Sequence, residues 1–181
     1  TGASTLTKSG SGSLTLSGTN TYTGQTFLNG GTTIISANAN LGAAATGAQL
    51  NLNNATLRVT ADVILSNGAV GTNNRAVVLN GIGGTFEVDA TRTLTIGGAI
   101  SGPGGLTKTG SGTLDIRSAG TLGGPTTISA GTLRFGAAAD PVRSNFTVET
   151  AGTLDIGGFV NSVGSLSGSG IVTNSGVSAT A

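Results

Sequence analysis

The chain has 181 residues, of which 33 are glycine and only 8% are charged, and its net charge is +1. The eight Lys and Arg residues are scattered, which argues against nucleic-acid binding, because that function needs clustered positive charge. No apolar run approaches the roughly 18 residues of a membrane-spanning helix, so no direct membrane insertion is expected. The chain lacks His and Cys, so it has neither the usual acyl-transfer triad nor thiolate metal ligands.

The chain repeats itself from its first strand onward. The sequence LTKSGSGSLTLSG at 6–18 returns as LTKTGSGTLDIRS at 106–118, and TFEVDATRTLTI at 85–96 aligns with NFTVETAGTLDI at 145–156. Neither alignment needs a gap, and both offsets are multiples of about 20 residues. A repeating structural unit of about 20 residues is therefore predicted.

Each unit is predicted to contain two short strands separated by a turn rich in Gly, Ser and Thr. Leu6 and Phe27 open the first units, residues 45–84 are irregular, and regular strand starts then follow at Phe86, Leu106, Thr126, Phe146 and Leu166. The second strands read SLTL, TTII, TLTI, TLDI, TLRF and TLDI in chain order. Their alternation of apolar and polar residues is typical of β-structure.

These features predict an all-β fold, a right-handed single-stranded parallel β-helix with about 20 residues per coil. Residues 1–181 would form one segment with irregular coils at about 45–84, and about nine coils would give a rod of roughly 40 Å. A β-sandwich is the alternative, but gapless repeats would be unusual there. No α-helix longer than two turns is expected, and residues 41–50 are the segment where an Ala-rich turn of helix could form.

The second strands also predict which side chains are buried. Alternate residues of a strand point to opposite sides, so the Leu and the last residue of each T-L-x-[IF] segment should line the inside. The predicted inward residues are Leu14, Leu94, Leu114, Leu133 and Leu154, joined by Leu16, Ile96, Ile116, Phe135 and Ile156.

The quoted motifs carry a family resemblance. LTKSGSGSLTLSGTNTYTGQT at 6–26 and ISGPGGLTKTGSGTLDI at 100–116 resemble the passenger-associated β-strand repeat of bacterial autotransporters, and GGFVNSVGSLSGSG at 157–170 is similar to their linking coils. The resemblance implies a fragment of a secreted passenger that folds outside the outer membrane, on the cell surface. It also implies two partners, a C-terminal translocator barrel of the same polypeptide, absent from this chain, and an unknown surface or host receptor.

Several residues are candidates for chemistry, and each has a structural interpretation. Lys8 and Lys108 occupy equivalent repeat positions, as structural residues do, and Glu87 with Asp89 should lie on a solvated strand face. The glycine patterns at 10–15 and 102–107 lead into strands, whereas phosphate-binding loops lead into helices. No catalytic, cofactor-binding or metal-binding residue is therefore assigned, and no cofactor is expected.

The sequence supports a structural or display segment of a passenger, which would contribute to adhesion and to passenger folding and secretion. The alternative is a ligand-binding solenoid that uses an outward threonine face toward a glycan or another flat surface such as ice. Thr93, Thr113, Thr132 and Thr153 form one such column. An enzyme that acts on polysaccharides is the third possibility.

A second outward column is predicted to carry charge. It contains Thr95, Asp115, Arg134 and Asp155. If the coils stack in register, Arg134 lies between two aspartates, each about 4.8 Å away. The two interpretations are a charge ladder that fixes the register of the coils and a set of charges that keeps this side soluble.

Overall fold

The computed structural model describes residues 3–43, 49–66, 75–118, 120–136 and 144–176. These ranges contain eighteen short strands and one 3-10 helix, Asn38–Leu41, and no α-helix. The strands are β1 Leu6–Ser9, β2 Ser13–Leu16, β3 Thr26–Asn29, β4 Gly31–Ile35, β5 Gln49–Leu52, β6 Ala55–Val59, β7 Val63–Ile64, β8 Ala76–Leu79, β9 Gly83–Val88, β10 Thr93–Ile96, β11 Ile100–Gly102, β12 Gly105–Thr109, β13 Thr113–Ile116, β14 Thr121–Leu122, β15 Thr126–Phe135, β16 Asn145–Asp155, β17 Ser165–Gly168 and β18 Ile171–Thr173. Within the Ala-rich segment, residues 44–48 lie outside the described ranges.

The strands stack in parallel and form the three faces of a solenoid. Face A is a six-stranded sheet in the order β1, β3, β5, β8, β11, β14. Face B runs through β2, β4, β6, β9, β12, the first half of β15, the first half of β16, and β17. Face C runs through β7, β10, β13, the second halves of β15 and β16, and β18. Since β15 and β16 continue round the corner, faces B and C form one bent sheet.

The predicted fold class is confirmed, since the chain is a parallel β-solenoid with about 20 residues per turn. The solenoid has about seven turns, not the nine predicted. The difference arises upstream, where turns are longer: on face B, Leu57 lies opposite Phe86, and on face A, Leu50 lies opposite Val77. Longer turns use more residues for the same advance along the axis.

The core is a narrow stack of aliphatic side chains inside the three faces. Leu94, Leu114, Leu133 and Leu154 follow one another in register on face C, and all four are buried. Ile96, Ile116 and Phe135 are also buried, as predicted.

Three predicted core residues are only half-buried: Leu14, Leu16 and Ile156. Leu14 and Leu16 belong to β2, the first strand of face B, which has a neighbour on one side only. Ile156 directly follows β16, which on face C has β15 on one side and only the three-residue strand β18 on the other. Burial in a solenoid depends on the coils on both sides of a residue as well as on the direction of its side chain.

The predicted register is correct on face C and wrong at one step on face B. Phe86 lies opposite Lys108, and Leu106 lies opposite Gly84, so that turn has 22 residues instead of 20. The 20-residue register holds again from Leu106 to Thr126. The gapless sequence match of 85–96 with 145–156 hides this step, because the path from Phe86 on face B to Leu94 on face C is two residues longer than that from Lys108 to Leu114.

Candidate functional site

Lys108, the lysine of the second copy of the repeat, lies inside the solenoid. Its side chain is on the core side of β12, opposite Phe86 and Ile128, and is 0% exposed. Its Nζ donates to the carbonyl oxygens of Thr109 at 2.7 Å, Gly110 at 2.7 Å and Ala130 at 3.2 Å. Two acceptors belong to its own turn and the third to the next coil, so the lysine joins two coils through backbone oxygens.

Lys8 makes the same set of contacts in the first copy. Its Nζ donates to the carbonyl oxygens of Ser9 at 3.3 Å, Gly10 at 2.7 Å and Gly30 at 2.9 Å. Gly10 and Gly30 correspond to Gly110 and Ala130 in the repeat alignment. We call this arrangement the lysine clasp, and its recurrence agrees with the structural interpretation of both lysines.

A glycine in the following coil leaves room for each clasp. Gly131 has φ +67, and a side chain there would place its Cβ 2.4 Å from the carbonyl oxygens of Gly110 and Gly112 and 2.9 Å from Lys108 Nζ. Gly31 occupies the equivalent position above Lys8, with φ +61. The clasp therefore requires the glycine as well as the lysine.

The surroundings of Lys108 change its acid–base behaviour. Burial lowers the pKa of Lys108 to about 8, because removal from water disfavours the charged amine. Among the described residues, the hydrogen-bond partners of Nζ are the three carbonyl oxygens and no carboxylate. Because the amine is enclosed and occupied by backbone acceptors, the geometry does not present it to a substrate.

Glu87 on β9 and Asp89, which directly follows the end of that strand, lie on the outer side of face B, as predicted. Arg58 on the neighbouring strand β6 donates from Nε to Asp89 Oδ1 at 3.0 Å, and its Nε is 3.5 Å from Glu87 Oε1. A second bond joins Arg58 to Asp89 Oδ2 at 3.2 Å, and these two carboxylates raise the pKa of Arg58. The acids are thus paired with a cation on a surface that is partly open to water, and they do not flank a cleft.

Both outward columns predicted on face C are in register. Thr93, Thr113, Thr132 and Thr153 are successive neighbours and half-buried. In the charged column, Arg134 lies opposite Asp115 on one side and Asp155 on the other.

The charged column differs from the prediction in its contacts and its burial. Arg134 Nε is 3.8 Å from Asp155 Oδ2, whereas Asp115 pairs with Arg117 at 2.8 Å. The Asp115 side chain is only 2% exposed, and Gly136 packs against its Oδ1. Charge alternation along the column is real, but the ion pairs form on one side of Arg134 only.

Asp155 is held by the coil that follows it. Burial would raise the pKa of Asp155, but hydrogen bonds from the Ser175 hydroxyl and backbone N–H, a bond from Gly157 N–H, and the charge of Arg134 lower it overall. This aspartate serves as an acceptor for a turn and is not poised to exchange a proton near neutral pH.

The outer side of face B carries a groove that the sequence did not predict. Thr56, Thr85, Thr107 and Thr127 are successive neighbours in one column. The residues two positions before these threonines form a second column, which consists of Asn54, Gly83, Gly105 and Pro125. The two glycines leave the middle of this second column without side chains. The result is a cavity of about 250 Å³ between the threonines and Ile82, which is 76% exposed.

Close approach of two coils explains the glycines at the floor of this groove. Gly83 has φ +100, and a Cβ there would lie 2.0 Å from the carbonyl oxygen of Gly105. The 20-residue step predicted from the sequence conceals the groove, because it sets Thr85 opposite Gly105 instead of Thr107. The available signal was the recurrence of threonine shortly after glycine, in GGT at 83–85, GLT at 105–107 and GPTT at 124–127.

The described ranges also bear on metal binding and on membrane insertion. No group of three His, Cys, Asp or Glu residues there could hold a metal ion. In the same ranges, no helix has the length and apolar character needed to cross a membrane. The glycine patterns at 10–15 and 102–107 lead into β2 and β12, in agreement with their interpretation as turns.

Comparisons with known proteins agree with the repeat and the fold. Residues 6–35 and 106–135 match the family model described as passenger-associated-transport-repeat. The Adhesin BmaC autotransporter of Brucella suis biovar 1 (strain 1330) is 38% identical over 175 residues, which is 96% of this chain and 5% of that protein. The chain thus spans a small fraction of this relative's length. No solved structure matches the chain significantly.

Proposed function

Because the chain belongs to the passenger segments of autotransporters, which lie on the cell surface, we propose that it is a rigid, non-enzymatic scaffold. In this role it holds a binding region of the same polypeptide away from the cell and contributes to adhesion through that placement. The observation that carries the proposal is the unbroken stacking of face B through eight successive strands. Such continuous parallel pairing makes a stiff element whose length depends on the number of coils.

The same stacking supports a contribution to secretion. Each coil covers the apolar side chains of its neighbour, as Leu133 does for Leu114 on face C. A coil that emerges next to a folded one would bury apolar surface at once, and that gain would favour outward movement of the chain. A translocator domain of the same polypeptide and a surface or host receptor are the partners that this proposal includes.

Deletion of one whole coil tests the scaffold role in the full-length polypeptide. Thr126 lies opposite Phe146, and Thr127 lies opposite Thr147, so deletion of residues 126–145 joins Pro125 to Phe146 and keeps the register. We expect this variant to reach the cell surface, to resist protease and to adhere as the native protein does. Leu114→Asp is the control for a broken core, and it should lose surface display and adhesion together.

The deletion also discriminates between the scaffold and a direct binding role. If the shortened protein is displayed and protease-resistant but no longer adheres, this segment contacts the receptor itself and the scaffold proposal is wrong. Secretion is tested separately by hydrogen exchange on the isolated chain. Vectorial folding predicts greater protection of the C-terminal coils than of the N-terminal ones, and uniform exchange would contradict it.

A further inference from the structure

The groove on face B contains polar groups that the fold does not use. Within the described ranges, the hydroxyls of Thr56, Thr85, Thr107 and Thr127 form no hydrogen bond with another residue. Further along the same column, beyond the groove, the hydroxyls of Thr147 and Ser167 pair with each other at 3.3 Å. The four groove hydroxyls therefore have free donor and acceptor capacity toward the open side.

The hydroxyls are arranged along one line with a regular spacing. Neighbouring strands are about 4.8 Å apart, so the column from Thr56 to Thr127 spans roughly 14 Å along the solenoid axis. The glycine floor lets a ligand approach beside this column, and Ile82 and Pro125 supply apolar surface at its edges. A fitting ligand is extended, carries hydroxyl groups at intervals of about one strand spacing, and has some apolar C–H surface.

The lining excludes other classes of ligand. It contains no charged side chain, and the neighbouring charged group of Arg58, Glu87 and Asp89 combines one positive and two negative charges. Anionic polymers would therefore gain little electrostatic attraction here. A peptide strand cannot be added, because β9 and β12 are hydrogen-bonded to neighbours on both sides.

We propose that this groove binds an uncharged oligosaccharide, which lies along the solenoid axis with its hydroxyls on the threonine column. The ligand hydroxyls exchange hydrogen bonds with Thr85 and Thr107 at the centre, and the C–H faces of the sugar rings contact Ile82. The cavity of about 250 Å³ is slightly below the usual size of ligand sites. Two or three rings are accommodated and affinity is weak, with Kd of about 1 mM. This site is separate from the scaffold role and does not depend on it.

The test is a titration of the isotopically labelled 181-residue chain with cellotriose, maltotriose and triacetylchitotriose, observed by amide chemical shifts. We expect at least one of these uncharged trisaccharides to give saturable shifts at Gly83, Thr85, Gly105 and Thr107. Trigalacturonate, a charged trisaccharide, should bind more weakly than the best neutral one. Absence of saturable shifts with all three, or shifts confined to another face, would overturn the proposal.

Paired substitutions identify the residues responsible. Thr85→Val with Thr107→Val keeps side-chain shape and strand propensity but removes two hydroxyls, and it should raise Kd by about tenfold or more. Thr113→Val with Thr132→Val is the matched control on face C, where the threonines are also half-buried neighbours, and it should leave Kd unchanged. Equal effects of the two double variants, or no effect of either, would contradict the assignment. Circular dichroism of each variant verifies that the solenoid is intact.

Discussion

The two copies of the repeat, residues 6–35 and 106–135, match the same family model and are identical at 12 of 30 aligned positions, but they differ in face and depth. The strands of the first copy lie on faces A and B, whereas the strands at the corresponding positions of the second copy lie on faces B and C. Lys8 is 8% exposed and Lys108 is fully enclosed, and Leu14 is half-buried while Leu114 is buried. The motif therefore specifies a local corner of strand, turn and strand with a lysine clasp, and it does not specify a face.

The turns between the copies determine where the second one falls. On face A, Leu6 lies opposite Thr26, Thr26 opposite Leu50, and Leu50 opposite Val77. Val77 lies opposite Ile100, so Leu106 comes one strand later and begins on face B. A sequence offset of 100 residues is thus a rotation by one face as well as an advance along the axis.

The largest difference between the copies should appear in the core. Leu114→Ala leaves a cavity between two coils and should lower the free energy of unfolding by about 2–5 kcal/mol. Leu14→Ala should lower it by less than half as much, because β2 has one neighbour only. Urea denaturation followed by circular dichroism measures both values. Equal losses would mean that the first copy is as well packed as the second.

The lysine clasps should differ in the same direction by a smaller amount. Lys108→Met removes the donor for three enclosed carbonyl oxygens and should cost about 1–3 kcal/mol. Lys8→Met should cost under about 1 kcal/mol, since water can reach the acceptors at the edge of the solenoid. The same denaturation experiment applies. A Lys108→Met variant as stable as the native chain would show that the clasp is dispensable.

The two copies also differ in charge at the outward-pointing position of their second strands. This position is occupied by Thr15 and Ile34 in the first copy and by Asp115 and Arg134 in the second. Arg134→Asp would align three carboxylates and should destabilise the chain by about 1–2 kcal/mol at low salt, and by less at high salt. Arg134→Gln is the control that removes charge without reversing it. A loss independent of salt would mean that register does not depend on this column.

The copies should also differ in the pH dependence that the enclosed lysine gives to stability. The pKa of Lys108 in the folded chain is about 8, below the roughly 10.4 of an unfolded chain. Between these values the unfolded state binds more protons, so this group makes the folded state more stable as pH rises. The free energy of unfolding of the native chain, relative to that of Lys108→Met, should therefore increase from pH 8 to pH 10. The same measurement on Lys8→Met provides the comparison at the edge of the solenoid. A decrease over that range would mean that the ammonium–carbonyl bonds dominate over burial.

Much of the fold could be predicted from the sequence because the repeat carries its own periodicity. The inward residues Leu94, Leu114 and Leu133, and the outward columns of face C, follow from alternation and from turns of 19 to 21 residues. The longer turns upstream could not be placed, because apolar spacing does not show where a turn gains residues. That uncertainty produced both the excess of predicted coils and the wrong partner for Phe86.

The groove and the clasp depend on information that is distant in sequence. From the sequence alone, a lysine side chain is expected to point outward. The fold supplies the acceptors that allow it to point inward, such as the carbonyl oxygen of Ala130 in the next coil. The groove needs Gly83 opposite Gly105, and a shift of two residues would remove the alignment of the threonines. Both features are set by register between coils and not by the motif itself.

Cross-linking across face B tests this register most directly, because the chain has no native cysteine. Thr85 lies opposite Thr107, whereas Glu87 lies opposite Thr109. Neighbouring Cα atoms about 4.8 Å apart suit a disulfide. Under mild oxidation, the double variant Thr85→Cys with Thr107→Cys should therefore form an intramolecular disulfide rapidly, and Glu87→Cys with Thr107→Cys should not. Rapid oxidation of the second pair instead of the first would restore the 20-residue register and contradict the 22-residue turn and the groove that depends on it.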